Sequence, residues 1–399
     1  MAAYRQHEAL QRAGLASSMW VRFRDSPDET VTAYAPPAPA TRRLKRVARR
    51  LYLGAVRADA QPDSLFSDDR AEYGGDECAS LPPHDVVNLH WSTGFVDQPA
   101  LFRTLPAATP LVVTMHDMHA FTGGCHYTGT CTRFTDECGC CPRLGKSGLH
   151  DLSYAALARK RSSYNGRPTQ KLCFVADSHW LGEQARQSTL LKGARVEVIH
   201  YGLDLAVFRP LSPIFGREAL RIPLDRCVVG FAAADIANTR KGMAHLIEAL
   251  RGMAQRPFIL TWGQGDPAAL REFDHLHLGE LTNEALMAVA YNCTDFCVVP
   301  SLEEAFGQTA LEAIACGRPV VAFRTGGLVD TVRHRSTGLL ARCGDSRELR
   351  EAMEELMTNT TLRHQLGAQG RQLAEAEFSY AYNAQRYSTL YEQLLLNRQ

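Results

Sequence analysis

Strand-length apolar runs recur along this chain at spacings too long for hairpins: residues 86–90, 111–116, 172–176 and 196–200, then 227–231, 258–262, 275–278, 296–299 and 320–323. Parallel strands need crossover connections of about a dozen residues or more, usually helical, and helix-length segments lie between most of these runs. Such alternation predicts an α/β chain with parallel sheets. The runs fall into two series, and 399 residues are enough for two ordinary domains. The segment HYGLDLAVFRPLSP, 200–213, reads as their connection. The expected boundaries are 1–205 for the first domain and 206–378 for the second, with 379–399 as a final helix. Residues 1–13 read as a helix ended by Gly14, 18–23 as a strand, and 26–41, rich in Pro, Ala and Thr, as a loop. Helical periodicity returns from Arg347 to the C-terminus.

Composition narrows the class. An apolar share of 45% and a charged share of 22% are those of a globular domain. A net charge of +1 gives no overall pull toward nucleic acid. No apolar run reaches the ~18 residues of a membrane span, and MAAYRQHEALQRAG has no signal-like apolar core, so a cytoplasmic enzyme is expected. In that setting the 12 cysteines suggest a metal site or free thiols, not a disulfide framework.

Chemistry concentrates in PSLEEAFGQTALEAIACGRPVVAFRTGG, residues 300–327. Glu304 and Glu312 have seven residues between them, the first in a loop after an apolar run and the second in the second turn of a helix opened by Gly307. A helix entrance offers backbone N–H groups to phosphate, and the two acids offer acceptors for hydroxyls. The block resembles the Glu-x7-Glu signature of retaining glycosyltransferases of family 4, glycosyl transferases group 1. Its flanks agree: Pro300-Ser301, Phe306-Gly307, Cys316-Gly317-Arg318-Pro319-Val320 and Gly326-Gly327. The resemblance implies a GT-B fold, in which two Rossmann-like domains face across a cleft and the final helix crosses back to the first domain. It also implies a nucleotide-diphosphate sugar as donor. Glu312 would accept from the ribose hydroxyls, and Glu304 would bind the donor sugar, helped by backbone amides around Phe306, Gly307 and Gln308. Arg240 and Lys241, in Asn238-Thr239-Arg240-Lys241-Gly242, would hold the departing diphosphate. No Asp-x-Asp metal clamp is present in the sequence, and no catalytic metal is expected. His116, which ends the run LVVTMH, would contact the donor sugar from the first domain. His90 and Trp91 end an earlier run in the same way and are candidates for the acceptor side, or for plain packing.

One departure from the family concerns the start. A Rossmann-like domain opens on a strand and a glycine-rich turn, whereas this sequence opens on the helix that normally follows them, so the first strand is missing from it. Either the true start lies upstream or the strand has been lost.

Two further features stand apart. TGGCHYTGTCTRFTDECGCCPRLG, within a loop at 121–145, sets Cys125, Cys131, Cys138 and Cys141 close together, with Cys140 as the odd one. Four soft ligands suit a tetrahedral structural zinc; reduced thiols or a disulfide pair are the alternatives. The loop resembles a family subgroup related to colanic-acid and exopolysaccharide enzymes. The basic run 42–52 has Leu44, Val47, Ala48, Leu51 and Ala55 at helical spacing. Through 42–55 it would either lie on an anionic membrane, placing the protein peripherally on its inner face, or pack on its own domain.

The sequence therefore leads to a retaining hexosyltransferase acting on a glycan or polyprenyl-linked glycan acceptor, with no nucleic-acid partner. A GT-B nucleotide-sugar epimerase and a non-catalytic, zinc-stabilised sugar-binding or assembly subunit are the alternatives. An acceptor-independent release of free nucleotide would mark the epimerase, and donor binding without turnover would mark the subunit.

Overall fold

The structure is a computed structural model that describes residues 1–34, 40–56, 65–71 and 81–396. It forms two compact units: residues 1–199 with 384–399, and residues 200–383.

The first unit opens on a helix, Ala2–Arg12, followed by a parallel pair, β1 (Met19–Val21) and β2 (Val31–Ala33). Strand β2 lies inside the stretch expected to be loop. Three residues, of which only Val31 is buried, leave too short an apolar pattern to recognise. The helix Ala40–Val56 comes next. A four-stranded parallel sheet then runs β3 (Val87–Leu89), β4 (Leu111–Met115), β5 (Leu172–Ala176) and β6 (Arg195–Val198) in that spatial order. Every residue of β4 and β5 is buried, which is why both read as continuous apolar runs. Residues 384–396 of the last helix, Tyr380–Leu396, pack on this unit: Tyr387 Oη lies 3.2 Å from Thr114 Oγ1, Asn88 donates to Tyr391 Oη, and Lys171 donates to the Leu394 carbonyl.

The second unit is a six-stranded parallel sheet. Its strands are β7 (Val228–Asp235), β8 (Phe258–Gln264), β9 (His275–His277), β10 (Phe296–Val299), β11 (Val320–Phe323) and β12 (Gly338–Ala341). Their spatial order is β12-β11-β10-β7-β8-β9. Successive side chains serve opposite faces: Cys297 and Val299 join one apolar cluster with Leu260 and Val320, while Phe296 and Val298 join the other with Ile259 and Val321. Strand order reverses between β7 and β10, which makes the C-terminal ends of this pair the switch point of the sheet. Open α/β sheets bind ligands at this switch point. The loops concerned are 236–242 and 300–307.

Candidate functional site

The switch-point loops carry the candidate donor residues of the second unit. Gly242 has φ +78°, and a Cβ there would come 1.8 Å from the Pro300 carbonyl oxygen, so only glycine lets the two loops press together. Leu302 N–H donates to the Arg240 carbonyl, closing the same contact. As a result Lys241 Nζ reaches Glu304 Oε2 at 2.5 Å, Arg240 Nη1 lies 3.7 Å from the same oxygen, and Ser301 Oγ donates to it at 3.2 Å. Arg240 also donates to the Glu303 carbonyl. Burial pushes the Glu304 carboxyl up, but Lys241 and Arg240, with hydrogen bonds from Lys241 and Ser301, outweigh it and hold it below the usual range. Glu304 is thus a buried carboxylate held by two cations.

Gly307, at φ +93°, caps the helix Gln308–Ala315, and a Cβ on it would strike Leu328 Cδ2 at 2.4 Å. The first turn of that helix follows the Glu304 loop directly, and its amides supply the positive end of the dipole. Glu312, in the second turn, is 2% exposed and accepts a hydrogen bond from Tyr291 Oη at 2.7 Å. Burial, then the Glu312 charge, push the Tyr291 hydroxyl well above its ordinary value, so it stays a donor. The Phe306 side chain does not line the site. It is buried among the rings of His200, Tyr201 and Phe378, which leaves only its backbone for a ligand.

In the first unit, His116 follows β4 and its Nε2 lies 2.9 Å from His90 Nδ1. Burial lowers the His116 imidazole to about 4 against the raising effect of Asp117, and His90 is likewise pushed well down, first by burial and then by His116. Both rings are neutral near pH 7, one donating to the other. Trp91 is 56% exposed beside the His126 ring.

A network that the sequence did not announce holds this corner. Asp117 accepts from His119 N–H through Oδ1 and from His126 Nδ1–H through Oδ2 at 2.7 Å. With that tautomer, His126 Nε2 accepts from Ser67 Oγ at 2.8 Å. Lys160, buried and lowered to about 8 chiefly by burial, donates to the carbonyls of His119 and Thr122. Ser67 lies 59 residues from His126, and no local pattern links the two.

Cys125, Cys131, Cys138 and Cys141 all line one cavity of about 10 Å³. Cys125 donates to Cys141; that bond, followed by the amides of Leu144 and Arg143, lowers the Cys141 thiol to about 7 despite burial. Cys140 turns elsewhere, its Sγ donating to the Ser147 carbonyl. Among the described residues, no three of the four sulfurs lie within 4.8 Å of one another.

Comparison with known proteins now bears on the second unit. Residues 226–359 match the family model "Glycosyl transferases group 1". D-inositol 3-phosphate glycosyltransferases of Mycobacterium bovis and Mycobacterium tuberculosis are 32% identical to this chain over 224 residues, 50% of this chain and 43% of theirs. The chain thus matches less than half the length of these curated relatives. Among solved structures, sucrose-phosphate synthase of Thermosynechococcus elongatus superposes with a TM-score of 0.68 at 20% identity, covering 99% of this chain and 92% of that one. HepE of Anabaena in complex with UDP superposes with a TM-score of 0.58 at 19% identity, covering 77% and 79%. These likenesses establish the GT-B fold. Arg240, Lys241, Glu304 and Glu312 lie within the matched span.

Proposed function

We propose that this chain is a retaining hexosyltransferase that uses a nucleotide-diphosphate sugar. The observation that carries the reading is the cluster at the switch point: Lys241 and Arg240 converge on the buried Glu304 carboxylate, next to the Gly307-capped helix that bears Glu312. Nucleotide diphosphate and sugar need cations, helix amides and two acceptors, and these elements supply all of them. A UDP-sugar is the first donor to try, since HepE of Anabaena has been solved with UDP and with UDP-glucose.

In this reading the ribose hydroxyls donate to Glu312, whose orientation Tyr291 holds. The diphosphate draws Lys241 and Arg240 partly from Glu304 and receives their charge as the glycosidic bond breaks. Glu304, freed of part of its pairing, accepts from sugar hydroxyls, with amides from Phe306 to Gln308 alongside. Neutral His116 offers a hydrogen bond to the sugar, and His90 and Trp91 serve the acceptor. Both acids are engaged in binding, so the acceptor attacks the face the phosphate leaves, and the departing phosphate takes its proton. A trapped glycosyl ester on Glu304 would contradict this route. The acceptor is a glycan or polyprenyl-linked glycan of surface polysaccharide synthesis, met at an anionic membrane surface through residues 42–55.

A structural zinc is our reading of the cysteine loop: Cys125, Cys131, Cys138 and Cys141 line one small cavity, and their sulfurs would have to draw together to hold the ion. Zinc there would tie the loop 121–145 together without joining the chemistry.

A thermal-shift panel of UDP, GDP and ADP with their hexose conjugates tests the donor site. One nucleotide class should raise the melting temperature. Loss of a charge-assisted hydrogen bond to the diol costs ~1.5–3 kcal/mol, so Glu312→Ala should weaken that ligand roughly ten- to a hundredfold. Equal shifts in both proteins would remove Glu312 from the site.

A further inference from the structure

The helix Ala40–Val56 is amphipathic in an unusual sense: its apolar stripe faces away from its own unit. At about 100° per residue, Leu44, Val47, Ala48, Leu51 and Ala55 occupy one sector of the helix, and Leu53 stands opposite it. Leu53 and Val56 pack against the cluster of Phe66, Cys125, Cys141, Leu144 and Leu152, while Arg49 reaches Asp68 at 3.4 Å. The packed side is therefore the side of Leu53. Among the described residues the stripe on the other side is uncovered: Leu44 is 71%, Val47 54% and Leu51 70% exposed, with Tyr52 beside them at 48%. A helix of a globular unit normally turns its apolar stripe inward.

Charge selects the occupant. The segment ATRRLKRVARRLYLGAV holds six cations, Arg42, Arg43, Lys45, Arg46, Arg49 and Arg50, and no acid, in a chain whose net charge is only +1. By helical position Arg50 flanks the stripe on one edge and Tyr52 on the other. An apolar stripe bordered by cations, with an aromatic hydroxyl at the margin, is the chemistry of a helix lying at a lipid headgroup boundary.

We propose that this helix docks the first unit on an anionic lipid surface, inserting Leu44, Val47 and Leu51 while Arg50 and the net positive charge of the run draw it to headgroup phosphates. The orientation follows from the packing: Leu53 and Val56 anchor the helix to the cysteine loop, so the loop lies on the protein side of the helix and the stripe on the lipid side. The proposal deepens the lipid-linked acceptor reading above, yet docking itself requires neither donor nor turnover, and the two can fail separately.

The test is co-sedimentation of the full chain with vesicles of phosphatidylcholine mixed with phosphatidylglycerol, and with phosphatidylcholine alone. Binding is expected to the mixed vesicles and to fall with salt. Leu44→Ser/Leu51→Ser should weaken it at least tenfold, since each leucine loses its apolar transfer. Arg43→Gln/Arg50→Gln should weaken it about thirtyfold, at the usual contribution of a cation near such a surface. Leu44, Arg50 and Leu51 are exposed, so melting temperatures should stay near the parent's, and Leu286→Ser, an exposed leucine of the second unit, should leave binding unchanged. Glu312→Ala should bind vesicles like the parent while losing nucleotide binding, which separates this proposal from the donor reading. No binding to mixed vesicles, equal binding to phosphatidylcholine alone, or full binding by either double variant would overturn it. So would self-association that Leu44→Ser/Leu51→Ser abolishes without any vesicle binding, because the stripe would then belong to a second copy of the chain.

Discussion

Glu304 shows how one side chain can serve both stability and binding. Its burial favours the neutral acid, and its two cations and Ser301 favour the carboxylate more strongly, so its folded-state pKa lies below the ordinary 4.5. A depressed carboxyl pKa stabilises the fold above pH 4.5, and the contribution is lost as pH falls through the folded value. Glu304→Gln should therefore lower the melting temperature most near neutrality and least at low pH, flattening the acid limb of the profile; parallel profiles would refute the assignment. Lys241→Ala should destabilise the protein by roughly 3 kcal/mol, read by urea unfolding, because it strips a buried carboxylate of its nearest cation. The same residue is proposed to meet the diphosphate, so nucleotide binding should fall with it. At this scale the sequence showed the acids and cations, since Glu304, Glu312, Arg240 and Lys241 stand in compact local motifs. It did not show what orients them. Tyr291 behind Glu312, and Ser67 and His126 behind Asp117, act through distances in sequence that no motif spans.

At the scale of elements, the Gln308–Ala315 helix depends on its capping glycine. Gly307→Ala would place a methyl group against Leu328 in a left-handed conformation, and a loss of about 1–3 kcal/mol is expected, measured by denaturant unfolding. Because the helix start moves with it, nucleotide affinity should drop as well; unchanged stability and affinity would show that the cap carries no strain. The long apolar strands were legible: β4, β5, β10 and β11 coincide with runs in the sequence to within a residue. Strand β12 was missed: Gly338–Ala341 opens on a glycine straight after the turn at 335–337, so only three apolar residues mark it. The helix Ala40–Val56 was legible as amphipathic, but periodicity has no inside or outside. Which face meets the protein was decided by Leu53 and Val56 finding the cysteine loop.

For the whole molecule, the cysteine loop links the proposed zinc to the proposed lipid face, since Cys125 and Cys141 sit in the same apolar cluster that receives Leu53 and Val56. Chelation with a strong zinc ligand should release zinc, lower the melting temperature and expose four thiols to a colorimetric thiol reagent, with Cys125→Ser reproducing the effect. Metal analysis that finds no zinc, with thiol reactivity unchanged by chelator, would leave free thiols as the reading. Two α/β series, the site acids and the basic helix were determined by the sequence alone, because strand length, helix period and local motifs are properties of neighbours along a chain. Tertiary structure decided the strand order that puts loops 236–242 and 300–307 at one switch point. It also decided the burial that leaves Glu304 charged only through its partners, and the outward turn of an apolar stripe. Each of these depends on which distant segments meet, and burial is a property of the meeting, not of the segments.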